Sequence, residues 1–254
     1  FGHDTTCITS CTSPWRPKGG PLTDDQVRAS IDEIVGADAI LFQPGCGWIP
    51  WWKSKVYPAE AHYRFYQETY GIKPNTFGAY MLGGGDLLKT FTGRCRERGV
   101  AAFVSFRMND GHGLENAGLT NASAAHTVSR FYLENYRRWR IGPDPKDWNQ
   151  RVLDWAVPEV REHKFAFLEE ICEGYDIDGL ELDFQRHPSY FKAEMPAAAR
   201  REIMGEFIAR VRALLDRTGK ARGRRWLCVR LPAHLESHAG LGLDVASMAD
   251  AGVD

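Results

Sequence analysis

The residues best suited to chemistry crowd into one short segment, Asp178 to Pro188, which reads DGLELDFQRHP. Asp178, Glu181 and Asp183 fall within six residues of a run that is otherwise apolar, and Arg186 and His187 follow at once. Acids are poor strand formers and are rarely buried unless paired. Side chains alternate along a strand, so Leu180, Leu182 and Phe184 share one face, and Gly179, Glu181, Asp183 and Gln185 share the other. Two acids on one face call for cations. Arg107 and Arg230, at the ends of the neighbouring apolar runs, are the natural partners. Guanidinium neighbours favour an ionised carboxylate, which suits a nucleophile or a charge stabiliser better than a general acid. Asp183 is the expected catalytic carboxylate, with Glu181 one layer deeper in support.

A second cluster, RMNDGHG from Arg107 to Gly113, follows another apolar run. Asn109, Asp110 and His112 there are expected to bind substrate hydroxyls together with Arg186, His187 and Arg230; as plain turn formers they need no further role. His112 and His187 with Asp110 and Asp183 have metal-ligand chemistry. No HxH or HExxH spacing supports that reading, so neither a metal nor another cofactor is expected. Glu236, past the last full apolar run, is one candidate general acid; an acid beyond Asp254 is equally expected to fill that role. Aromatic residues are dense where loops should be, at Trp15, Trp48, Trp51, Trp52, Tyr57, Tyr190 and Phe191. Trp48 and Trp51 are expected to stack on apolar sugar faces. Trp139 and Trp148 read as loop anchors.

These residues must be positioned by alternating strands and helices. Strand-like runs occur at Thr5 to Cys11, Asp38 to Gln43, Val100 to Phe106, Asp178 to Phe184 and Arg225 to Pro232. Between them lie amphipathic segments with helix signals. Thr23 with Gln26 forms a capping box, Gly99 closes the segment from Asp86, and Pro158 opens another. An insertion of about 109–157 separates the third strand from its helix and holds the aromatic, basic stretch SRFYLENYRRWR. The tail GLDVASMADAGVD reads as a short helix leading into a sixth strand. Such alternation predicts a parallel α/β sheet. Polar clusters at the C-terminal ends of several strands favour a (β/α)8 TIM barrel over an open, doubly wound sheet. GGGD at Gly83 follows no strand and lacks dinucleotide-loop spacing.

The bulk composition narrows the field. The chain has 254 residues with 32 Lys and Arg against 33 Asp and Glu, a net charge of −1, so no nucleic-acid footprint is expected. The basic run RTGKARGRR from Arg217 to Arg225 reads as a solvated helix end and loop. No apolar run approaches the ~18 residues of a membrane span. The six cysteines form no CxxC pair, which removes zinc-ribbon and thioredoxin readings. Cys95, Cys172 and Cys228 read as buried thiols; a disulfide among Cys7, Cys11 and Cys46 is left open. The chain starts FGHDTT and stops at DAGVD inside an element. It is therefore expected to be one barrel domain over 1–254 that is truncated at its C-terminus, with roughly five β/α units present.

The segment from Leu153 to Phe191 resembles the barrel core of glycosyl-hydrolase-like family ten, where a PEVR helix precedes YDVDGIHxDxxRYP. Here the pattern reads YDIDGLELDFQRHP. SFRMNDGH and GLDVASMADAGVD are also similar to segments of bacterial (β/α)8-barrel glycoside hydrolases. The family-18 chitinase pattern DGxDxDxE is similar over Asp178 to Asp183. Its catalytic glutamate falls on Gln185, which cannot donate a catalytic proton, and its middle aspartate falls on Glu181. The resemblance implies a glycoside hydrolase with an acid at the end of the fourth strand, here Asp183. Its partner would be a poly- or oligosaccharide, and the carbohydrate reading favours a secreted or periplasmic location. The alternatives are a non-catalytic carbohydrate-binding barrel, motivated by Gln185, and a metal-dependent hydrolase.

Overall fold

The computed structural model describes residues 1–5, 8, 20–46, 48–116, 125, 127–219 and 223–254. Its centre is a five-stranded, all-parallel sheet of β1 (Gly2–His3), β2 (Ala39–Phe42), β5 (Ala101–Arg107), β6 (Gly179–Asp183) and β7 (Trp226–Arg230), in that spatial order. The order follows the sequence without a reversal, so this part of the sheet has no switch point of the doubly wound kind. A small antiparallel hairpin, β3 (Gly45–Cys46) with β4 (Ile49–Pro50), sits in the loop after β2. That hairpin was not expected from the sequence.

Three of the described helices form where the sequence signals place their ends. In α1 (Asp24–Asp32), Thr23 and Gln26 make the reciprocal capping box. Two helices, α2 (Ala59–Tyr70) and α3 (Thr76–Leu82), fill a stretch with no strong periodic signal. In α4 (Leu87–Arg98), Asp86 caps the N-terminus and Gly99 closes the C-terminus at φ 67°, the left-handed region where only glycine is unstrained. The insertion carries α5 (Arg130–Trp139). Pro158 opens α6 (Pro158–Gly174), and α7 (Ala197–Gly219), α8 (His238–Leu241) and α9 (Val245–Asp250) complete the order. After α9 the Asp254 N–H donates to Leu227 O at 2.9 Å, so the tail lies beside β7.

The strand expected at Thr5 to Cys11 lies largely outside the described residues, as do Trp15, Cys7 and Cys11; β1 is the shorter Gly2–His3 pair before it. Cys95 and Cys172 are buried thiols, and Cys228 is half-buried on β7. Arg225 corrects the reading of its basic run as solvated. It is buried, and its guanidinium donates to Cys172 O at 2.6 Å and Tyr175 O at 3.2 Å, satisfying carbonyls at the end of α6. Arg217 does lie at the surface and pairs with Glu169 and Glu173. No described helix is long and apolar enough to cross a membrane.

The two faces of the sheet differ. Ile40, Phe42, Val104, Leu180, Leu182 and Leu227 are fully buried on the face covered by helices. The other face carries Leu41, Gln43, Ser105, Arg107, Glu181, Asp183 and Arg230, which line a common cavity. The two-residue period divides one strand between core and cavity. At the bottom of this face Gly179 is required by space. A Cβ there would stand 2.4 Å from the Phe103 ring and 2.7 Å from Trp226 O.

Candidate functional site

Register, not chance, assembles the cavity. Arg107, Asp183 and Arg230 are direct partners across β5, β6 and β7, and Ser105, Glu181 and Cys228 form the rung below. All of these but Cys228, with Gly2, His3, Asp4, Leu41, Gln43 and Arg186, line a cavity of about 360 Å³ at the C-terminal ends of the strands. That is the size of a small-molecule site, and the C-terminal edge of a parallel sheet is where such sites form.

Asp183 is almost wholly enclosed and fixed from several directions. Its Oδ1 accepts the backbone N–H groups of Gln185 at 3.0 Å and Arg186 at 3.1 Å, while Oδ2 faces Arg230 at 3.6 Å. Glu181 accepts from the Ser105 hydroxyl at 2.6 Å. Arg107 does not pair with the β6 acids in the way its position suggested. Its guanidinium instead bridges Asp110 at 3.2 Å and Asp4 at 3.4 Å. Asp4 is thus a third carboxylate of the cavity, and one the sequence reading missed. It follows a two-residue strand with no apolar pattern to flag it. Gln185 is exposed, and its side-chain oxygen accepts from Arg230 Nε at 2.9 Å.

Several expected site residues lie elsewhere. Trp48 and Trp51 are 1% and 5% exposed and belong to the core, so neither offers a ring to a sugar. Trp48 packs on α5 and α6 through Phe131 and His163, and Trp51 on α3 through Phe77. The hairpin folds this aromatic loop inward, which no local signal announced. Trp52, Tyr190 and Phe191 are buried as well. Asn109 is fully buried and spends its amide on Leu153 O at 3.0 Å and Ser189 O at 2.9 Å, tying two loops together instead of facing a ligand. Glu236 projects into solvent with a side chain 81% exposed, 3.7 Å from His234, and does not line the cavity. Its segment forms a short 3-10 turn, Leu235–Ser237, that carries it outward.

Asp110, His112 and His187 converge beside the cavity. Asp110 Oδ1 lies 2.6 Å from His112 Nδ1 and 3.2 Å from His187 Nε2. Burial alone would raise the Asp110 carboxyl. Hydrogen bonds from both imidazoles and the Arg107 charge outweigh it and hold Asp110 well below the usual range. Burial pushes the His187 imidazole down, against the pull of Asp110. The three residues are the group, among those described, whose donor atoms approach closely enough to hold a metal ion; Asp183, grouped with them in the sequence reading, is not a member. Arg107 and Arg186 connect this cluster to the cavity, since both line the cavity and Arg186 Nη2 sits 3.2 Å from His112 Nε2.

Three neighbours of the cluster were not foreseen. Trp148, read as an anchor, is 43% exposed and stacks on His187 at 4.4 Å. Arg151 is buried, donates to Gly111 O at 2.6 Å and lies 4.4 Å over the Trp148 ring. Lys164 on α6 reaches Arg107 O at 3.2 Å and rests 4.0 Å over Trp48. Burial drives its ammonium down to about 7.

No family model and no curated protein matches the chain. Among solved structures, the alpha-amylase from Geobacillus thermoleovorans, complexed with acarbose, aligns over 93% of this chain and 44% of its own length, at 17% identity and a TM-score of 0.48. This chain therefore spans less than half of that structure, and the fold assignment rests on the strand order described above and not on that likeness.

Proposed function

We propose that the protein is a glycoside hydrolase acting on a poly- or oligosaccharide, with its parallel sheet forming part of a (β/α)8 barrel. One observation carries the reading: three carboxylates, Asp4, Glu181 and Asp183, line one polar cavity at the C-terminal ends of the strands. Glycoside hydrolysis by the usual route needs a pair of carboxylates flanking the scissile bond. Asp183, oriented by two backbone N–H groups and Arg230, takes the part of nucleophile or charge stabiliser. Glu181 supports it from the rung below. Asp4 replaces Glu236 as the candidate second carboxylate, because it lines the cavity and Glu236 does not; the Arg107 guanidinium beside it favours its ionised form, which suits a general base acting on water. Gln43, Arg186 and Arg230 are the groups left to bind sugar hydroxyls. The sequential strand order supports the barrel, as does the lie of the Asp254 backbone beside β7, where a sixth strand would start.

The test is a hydrolysis screen against a polysaccharide and oligosaccharide panel, read as new reducing ends, with binding measured in parallel. Asp183→Asn is expected to lower turnover by at least about a thousandfold while substrate still binds. Near-wild-type turnover in that variant removes Asp183 from the mechanism. Binding by the wild type with no product on any substrate replaces the hydrolase with a carbohydrate-binding barrel, the reading that Gln185 motivates.

A further inference from the structure

The loops after β5 and β6 bring three donor atoms to one point. Asp110 Oδ1, His112 Nδ1 and His187 Nε2 form a triangle with sides of 2.6, 2.9 and 3.2 Å. Asp110 Oδ1 also accepts the His112 backbone N–H at 2.9 Å. Hydrogen bonds join Asp110 Oδ1 to both imidazoles, yet each arrangement of the protons leaves one side of the triangle repulsive. With one proton on each facing nitrogen, both N–H groups donate to Asp110 Oδ1 and crowd each other across the 2.9 Å side. With the proton on His187 alone, lone pairs of Asp110 and His112 face each other at 2.6 Å. With the proton on His112 alone, the facing pair is Asp110 and His187 at 3.2 Å. Three lone pairs aimed at one point are what a cation accepts.

The dimensions suit an ion. Donors about 2.1 Å from a metal stand about 3 Å apart on an octahedral face and about 3.4 Å apart in a tetrahedron, so the triangle matches three neighbouring positions of a six-coordinate ion. Two imidazoles with one carboxylate suit a divalent transition metal; Ca²⁺ and Mg²⁺ call for mostly oxygen donors.

The surroundings hold the triangle in place. Arg107 binds Asp110 Oδ2 at 3.2 Å and leaves Oδ1 pointing at the imidazoles. His187 has φ 55°, the positive-φ residue other than glycine among those described, and Trp148 stacks on its ring. Strained backbone of this sort persists where the surrounding structure requires a particular side-chain placement. Gly111 lets the ring approach, since a Cβ there would stand 3.1 Å from His187 Nδ1. That Nδ1 is buried without a hydrogen-bond partner among the described residues, so no neighbouring acceptor or donor turns the ring away from the triangle.

We propose that Asp110, His112 and His187 form a binding site for one divalent transition-metal ion of the Zn²⁺, Co²⁺ or Fe²⁺ class. The ion would join the loop after β5 to the turn of residues 185–187. The backbone N–H of Arg186 in that turn holds Asp183 Oδ1, so the ion would set the orientation of the cavity carboxylate from outside the cavity. Ligation through Nδ1 puts the His112 proton on Nε2, so the exposed Arg186 guanidinium turns away from it on binding.

The experiment uses the full chain stripped with a chelator and titrated with Co²⁺, followed by visible absorption, and with Zn²⁺, followed by calorimetry. One ion per chain is expected, together with the d–d bands of ligated cobalt. His187→Gln and His112→Gln should each weaken binding by about a hundredfold or more, and Asp183→Asn should leave it unchanged. His112 is partly exposed, so its variant is expected to fold, and circular dichroism checks that it does. Absence of stoichiometric binding by the wild type overturns the proposal, as does equal binding by wild type and a folded His112→Gln. Hydrolase activity is not read, so the two proposals fail separately.

Discussion

His163 makes the stability of the protein fall with acid in a predictable window. Its ring stacks on Phe131 of α5 at 3.8 Å and 6° and meets Phe167 edge-on at 4.7 Å, so it holds the insertion helix against α6. Its Nε2 is buried without a partner among the described residues. Burial first, and the Lys164 charge second, push the imidazole down from 6.5 to about 4. The sign follows from linkage. Above pH 6.5 the ring is neutral in both states and contributes nothing to the pH dependence. As pH falls from 6.5 to 4 the unfolded chain binds the proton and the folded chain does not, so stability is lost; below 4 both states are protonated and the loss is complete. At about 1.4 kcal/mol per unit the full shift corresponds to about 3 kcal/mol, and partial solvent access to the ring reduces this to about 2 kcal/mol. His163→Phe keeps the aromatic stack and removes the proton. Urea unfolding of both proteins at several values between pH 7.5 and 4 gives the difference curve, in which His187, His3 and the carboxylates cancel. The wild type should lose about 2 kcal/mol more than the variant over this range. Parallel curves would refute the burial argument for His163.

Other perturbations test the site and its frame. Asp110→Ala leaves Arg107 and two imidazoles without their shared acceptor in a buried position and should cost about 3–5 kcal/mol in chemical denaturation. Arg225→Ala removes the donors to Cys172 O and Tyr175 O at the end of α6 and should cost about 2–3 kcal/mol; Arg225→Lys should recover only part, because one ammonium does not reproduce the planar fork. Gly179→Ala should destabilise by about 1–3 kcal/mol, measured the same way, since the new Cβ meets Trp226 backbone that cannot move without shifting β7.

Much of the frame was legible in the sequence because its signals are local. The Thr23–Gln26 capping box, Asp86 and Gly99 around α4, and Pro158 at the head of α6 each act on their own turn of helix. Alternation in DGLELDF likewise assigns Leu180 and Leu182 to one face and Glu181 and Asp183 to the other, whatever the neighbouring strands do. The partners of those side chains were not legible, because partnership depends on register and on loops that meet only in three dimensions. Arg107 and Asp183 stand level across β5 and β6, yet Arg107 pairs with Asp110 and with Asp4, which is 103 residues away. Trp48 and Trp51 read as exposed rings until a short hairpin buries them. Asp110, His112 and His187 carry no metal spacing because two strand ends, not one helix or one loop, bring them together. Residue type and period determined the elements and the acidic face; the tertiary fold alone decided which charges meet, since ion pairing depends on distances that the chain sets only by assembling the sheet and its loops.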